Sequence, residues 1–135
     1  DKWLLELAEK VHRNTADWTS DIANWQNVKF SKAIGGPTTY FIQSNDEVHL
    51  QASYRNYDKL RALYGQVPGG MLGSDENCRP GFHGPRQAVE TCGMVEMMLS
   101  LETLVGMTGD LTWADRCEDV TFNSMPAALT ADFIA

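Results

Sequence analysis

The chain has 135 residues, 43% of them apolar, enough for one domain with its own core. Its formal net charge of −7 leaves no basic stripe to neutralise phosphates, which excludes a nucleic-acid partner, and no run of about twenty apolar residues is present to span a bilayer. Cys78, Cys92 and Cys117 are an odd number without paired spacing, which excludes a disulfide framework.

Leu4, Leu7, Ala8 and Val11 recur at helical spacing and predict a first helix over about 2–13. Asn14 and Thr15 break it, and Trp18, Ile22 and Trp25 follow in a polar-interrupted segment. A second helix is expected from about Asn27 to Gln43, with Phe30, Ile34, Tyr40 and Phe41 on its buried face. Gly35-Gly36-Pro37 in its middle reads either as a break or as a kink where two helices pack closely. Ser44-Asn45-Asp46 ends this helix and caps a third, which carries Leu50, Tyr54, Tyr57, Leu60 and Tyr64 on one side and stops at Gly65.

A loop then spans 66–86. A fourth helix is expected over 87–107, apolar around most of its circumference and so buried on more than one side. Thr108-Gly109-Asp110 caps a fifth over 111–127, with Trp113, Ala114, Cys117, Val120 and Phe122. The two polar turns, 64 residues apart, are the same device, a short turn whose Asp folds one helix back on the last. Two such pairs, with no strand-like alternation competing, predict an all-α fold of stacked αα-hairpins. The chain starts at Asp1 inside a helical pattern and stops just after an apolar stretch, so it is expected to be a portion of a longer one.

The loop holds the chemistry. A stretch of about twenty residues without periodicity is usually functional or disordered, and this one is too rich in Arg, His, Phe and Cys for a tether. Gly73 to Glu96 brings acids and two thiols between glycines and prolines, straight into an apolar helix. Glu76 reads as a solvated loop carboxylate or as an acid/base, with adjacent Asp75 pointing elsewhere. Glu90 reads as a carboxylate favoured at a helix start or as a metal ligand, and Cys92 as a buried inert thiol or as a ligand. At i and i+2 these two converge only where the helix begins near Glu90. Arg79 and Arg86 either pin the loop internally or, for Arg86, orient Glu76 or an acidic sugar. His83 is a loop hydrogen-bonder or a ligand. Glu96, on an apolar helix, needs a cation, backbone donors or a pocket to face. Cys117 sits in an apolar pattern and reads as a small core residue, and Cys78 as incidental.

Taken together, Gly70-Met71-Leu72-Gly73-Ser74-Asp75-Glu76-Asn77, Gly84-Pro85-Arg86-Gln87, Glu90-Thr91-Cys92-Gly93-Met94-Val95-Glu96 and Trp113 to Val120 with Phe122-Asn123-Ser124 resemble glycoside hydrolase family 127, the β-L-arabinofuranosidase-type enzymes. The resemblance spans 25–127. It implies a central portion of an (α/α)6-barrel catalytic domain, with the remainder of that barrel as its partner and an oligosaccharide or glycoside as substrate. It leaves the compartment unknown, with a soluble enzyme, cytoplasmic or periplasmic, of a polysaccharide-degrading bacterium as the expectation.

Members of the family use a Cys thiolate as nucleophile and a Glu as acid/base, with zinc held by a Glu-Thr-Cys block and a later Cys-Cys pair. The resemblance puts Glu90 and Cys92 on zinc-ligand positions, Glu76 near the acid/base position, and the Cys-Cys pair after residue 135. Relatives often carry His-x-Asn on a helix lining the sugar site. Here the run is Trp25-Gln26-Asn27, so the resemblance makes these residues substrate-binding but does not fix arabinose as the sugar. Zinc suits the mixed donor set, since it takes sulfur and carboxylate oxygen together and deprotonates a coordinated thiol. Two other readings stay open: a non-hydrolytic carbohydrate-binding, epimerase or lyase-type helical toroid, and a helical interaction module whose loop is a binding edge.

Overall fold

The structure, a computed structural model, describes residues 1–82, 84 and 86–132. Among these residues all regular structure is helical, and the one strand-like contact is an isolated parallel bridge between Ser74 and Val89. The elements are α1 (Lys2–Asn14), α2 (Asn27–Ala33), α3 (Gly36–Ser44), α4 (Glu47–Tyr64), α5 (Thr91–Thr108) and α6 (Thr112–Asp119). Without a break, α6 continues into a π-helical turn (Val120–Ser124) and a last helical turn (Met125–Ala127).

The expected second helix is two. Pro37 has no N–H to offer the carbonyl four residues back and its ring crowds that carbonyl, so the helix stops and restarts with Pro37 in the first turn of α3. The carbonyls freed at the end of α2 are taken up from another helix, since the Ser100 hydroxyl of α5 donates to Ser31 O at 2.7 Å and to Lys32 O at 3.1 Å. The expected fourth helix also starts later, at Thr91. The segment 87–90 is not helical: Gln87 packs on Gly73, Val89 bridges to Ser74 and Glu90 has extended backbone.

Both polar turns act alike. Asp46 Oδ1 accepts from Val48 N–H at 3.1 Å and Asp110 Oδ1 from Thr112 N–H at 2.9 Å. Ser44 and Thr108 hydroxyls accept from the amides of those same aspartates, and the residue between is left-handed in each turn, Asn45 at φ 52° and Gly109 at φ 69°. The first turn pairs α3 with α4 and the second pairs α5 with α6, while α2 runs along α5. The hairpins therefore stack as the sequence predicts.

Between them lies one core, in which Phe30, Ile34, Leu60, Met71, Leu72, Met97, Leu101, Leu104, Trp113 and Val120 are fully buried. Trp113 of α6 meets the rings of Tyr54 and Tyr57 of α4, with centroids 4.7 and 5.4 Å away. The Arg116 guanidinium lies 4.1 Å from the Tyr57 centroid and 4.5 Å from that of Trp113, joining the two helices by a cation–π sandwich. Tyr40 and Phe41, expected on the buried face, are half-buried. Helix α1 has its predicted periodicity but buries no residue, and Leu4, Leu7 and Val11 are exposed along a groove of about 550 Å³ shared with α3. It is held by the stack of His12 on Tyr40 at 3.9 Å and by Gln43, whose amide donates to Leu5 O.

The loop is pinned rather than free. Arg61 Nη1 donates to Gly70 O and Met71 O, and Gly73 N–H donates to Tyr64 O at 2.8 Å. Gly69 and Gly70, both left-handed, lie so close to the end of α6 that added Cβ atoms would fall 2.7 Å from Ser124 Oγ and 2.6 Å from Asp119 Cβ. The two Asp caps differ in one respect, because Asp110 also accepts from Tyr54 Oη at 3.0 Å. Asp46→Ala is expected to cost about 1 kcal/mol in urea denaturation, and Asp110→Ala is expected to lower the midpoint further because it also frees Tyr54.

Candidate functional site

Three segments meet where α2 begins. Asn24 Oδ1 accepts from Gln26 N–H at 3.0 Å, an Asx turn that sets Gln26 as the N-cap residue of α2. Asn27 is fully buried, and its Nδ2 donates to Leu72 O at 3.2 Å and Ser74 O at 2.7 Å, binding the loop to the helix start. Its Oδ1 has no hydrogen-bond partner and presses on Gly93 in the first turn of α5, where a Cβ would fall 1.8 Å away. Trp25 adds a further tie, its carbonyl accepting from Cys78 N–H at 2.7 Å.

This joint sets the acids. Gln26 Nε2 donates to Glu76 Oε2 at 2.7 Å across fifty residues of chain. Glu90 is the N-cap residue of α5 with extended backbone, and its carboxyl meets the Val28 amide at the start of α2. Burial pushes the Glu90 carboxyl up, and the adjoining Glu76 carboxyl, within hydrogen-bonding reach, pushes it up again, while the Val28 amide at the start of α2 opposes both. Glu90 Oε2 is enclosed without a hydrogen-bond partner among the described residues. Asp75 turns to Arg79, whose Nη2 donates to it at 3.0 Å, so the two neighbouring acids serve different partners.

The other expected residues fall as follows. Cys92, read from the sequence as a buried thiol or a ligand, is exposed in the first turn of α5, one residue past the helix start that Glu90 caps. Cys78 is the buried thiol, pushed up by burial, and Cys117 is buried and pushed up in the same way. The Trp25 ring is half-buried, edge-on to Tyr64 with Lys59 5.8 Å over its centroid. Arg86 is exposed and makes no ion pair with Glu76 among the described residues. His83 lies outside the described residues. Glu96 meets Lys32 of α2 at 3.8 Å, the cation its place on an apolar helix calls for. Among the described residues no three His, Cys, Asp or Glu side chains gather as a metal cluster. Carboxylate oxygen and thiol sulfur are donor types that zinc takes together, and Glu90 Oε2 has no hydrogen-bond partner among the described residues.

Sequence reasoning named Gln26 and Asn27 only as sugar-binding and missed the Val28 amide. The Asx turn at Asn24 was the available signal, since it marks where a helix N-terminus presents its amides.

A model for "Beta-L-arabinofuranosidase, GH127 catalytic domain" matches residues 1–134. No curated protein and no solved structure matches the chain.

Two outcomes are expected. Gly93→Ala would raise intrinsic helix propensity, yet it should destabilise by about 2 kcal/mol or more in urea denaturation, because the methyl displaces the buried Asn27 amide. Glu90, with its carboxyl raised on folding, contributes stability below its ordinary value of 4.5 and loses that contribution as pH rises. In chelator-treated protein, Glu90→Gln should thus be the more stable form at neutral pH, with the difference closing as pH falls to the carboxyl's ordinary value of 4.5.

Proposed function

The chain belongs to the GH127 β-L-arabinofuranosidase catalytic-domain family, and on that footing we propose that it serves a retaining glycosidase, with Glu76 as acid/base and Glu90 and Cys92 as half of a zinc site. The observation that carries this is the meeting of Glu76 and Glu90 in one place, from a loop and a helix start, under the single joint made by Asn27. The stacked hairpins suit a portion of the family's (α/α)6 barrel, and the substrate is a glycoside of plant-polysaccharide type.

In this reading the two acids divide the work by exposure. Glu76 is exposed and reachable by a glycosidic oxygen, whereas Glu90 is half-buried, with one oxygen enclosed. Glu76 gives its proton to the leaving oxygen as the glycosidic bond breaks. Its carboxylate then takes a proton from the water that releases the sugar. Zinc, when bound, would hold a thiol as thiolate. Neither Cys78 nor Cys117 suits the nucleophile, since burial keeps both thiols protonated. That role is assigned to the Cys-Cys pair implied by the family resemblance, which is not among these residues.

The test uses the protein with its complete barrel on a panel of aryl glycosides that includes β-L-arabinofuranosides. Glu76→Gln should lower kcat by about 10²-fold or more on phenyl glycosides, with the circular-dichroism spectrum and melting midpoint unchanged. Undiminished turnover would take Glu76 out of the mechanism.

A further inference from the structure

We infer that Gln26 is a positioning residue for Glu76, fixing the orientation of its carboxyl; this rests on the acid/base reading of Glu76 above. Gln26 Nε2 lies 2.7 Å from Glu76 Oε2 and donates to it. An amide N–H can only donate, so Oε2 is held as the accepting oxygen and the carboxyl is fixed in one orientation. Glu76 is exposed, and its other close side-chain neighbour among the described residues is the Glu90 carboxyl, a like charge when both are ionised, so Gln26 is the neutral donor that orients it.

Gln26 is well placed to impose the constraint. Its N–H is held by Asn24 Oδ1 at 3.0 Å, and its carbonyl accepts from Phe30 N–H at 3.0 Å. The next residue, Asn27, is fully buried and tied to the loop two residues before Glu76, at Ser74 O. Donor and acceptor therefore stand on backbones clamped to each other, and the hydrogen bond closes a short rigid ring of α2 start, loop and side chains. The orientation is set before any substrate arrives, which is how a positioned acid gains over a free one.

A group acting only through Glu76 affects only the proton-transfer step. Gln26→Met keeps the side-chain length and removes the donor. On a phenyl glycoside of the sugar that the wild type turns over, kcat should fall about 10- to 100-fold with KM unchanged. On the matching 2,4-dinitrophenyl glycoside, whose leaving group needs no proton, kcat/KM should fall by less than about three-fold. In a Glu76→Ala background, Gln26→Met should bring no further loss on the phenyl glycoside. Equal losses on both glycosides with a raised KM, or losses that add to those of Glu76→Ala, would make Gln26 a sugar contact and overturn the inference alone. Full activity in Glu76→Ala would instead overturn the acid/base reading, and this inference with it.

Discussion

The buried Asn27 side chain is the constraint from which the rest of the site follows. A primary amide enclosed in a core must find partners, and it finds them in two carbonyls of the loop, at Leu72 and Ser74. Those bonds put the loop against the start of α2, and the loop carries Glu76 two residues on. The remaining oxygen rests against Gly93, so the same side chain sets how closely α5 approaches. Because Gly93 lies three residues after Glu90, that spacing also fixes where the second acid emerges. One side chain thus sets three backbones at once, and the pairing of Glu76 with Glu90 is its product rather than a property of either acid.

The hairpins give this joint a rigid frame. Each is folded back by an aspartate cap, and the two are joined across α4 and α6 by Trp113 between two tyrosines with Arg116 over the rings. Ser100 does similar work deeper in the core, closing the end of α2 from α5. Polar side chains, not only apolar packing, thereby decide where helices stop.

What was legible in the sequence was local. The two capping turns could be read because each uses a hydroxyl, a left-handed residue and an aspartate within three positions. The periodicity of α1 could be read as well, but not that Leu4, Leu7 and Val11 would stay exposed, because period reports a face and not what covers it. Gln87 to Glu90 carry acceptable helix formers, and the bridge from Val89 to Ser74 overrides that preference with a contact fifteen residues away. The thiols divided by the same logic. Cys78 is buried where its amide is drawn to Trp25 O, while Cys92 is exposed on the first turn of α5. The Gln26 to Glu76 bond spans fifty residues between polar side chains, and no local pattern announces such a pair.

The π-helical turn at Val120–Ser124 has a consequence for how this helix tolerates change. A π turn accommodates one residue more than the α-helical repeat, and each residue is worth about 100° of rotation. The chain is therefore turned relative to α6 by the end of it, where the Ser124 hydroxyl donates to Gly69 O. The helix behaves as two gears on one axle, the first meshed with α4 through Trp113 and the second with the glycines of the loop, and the extra residue between them keeps both engaged.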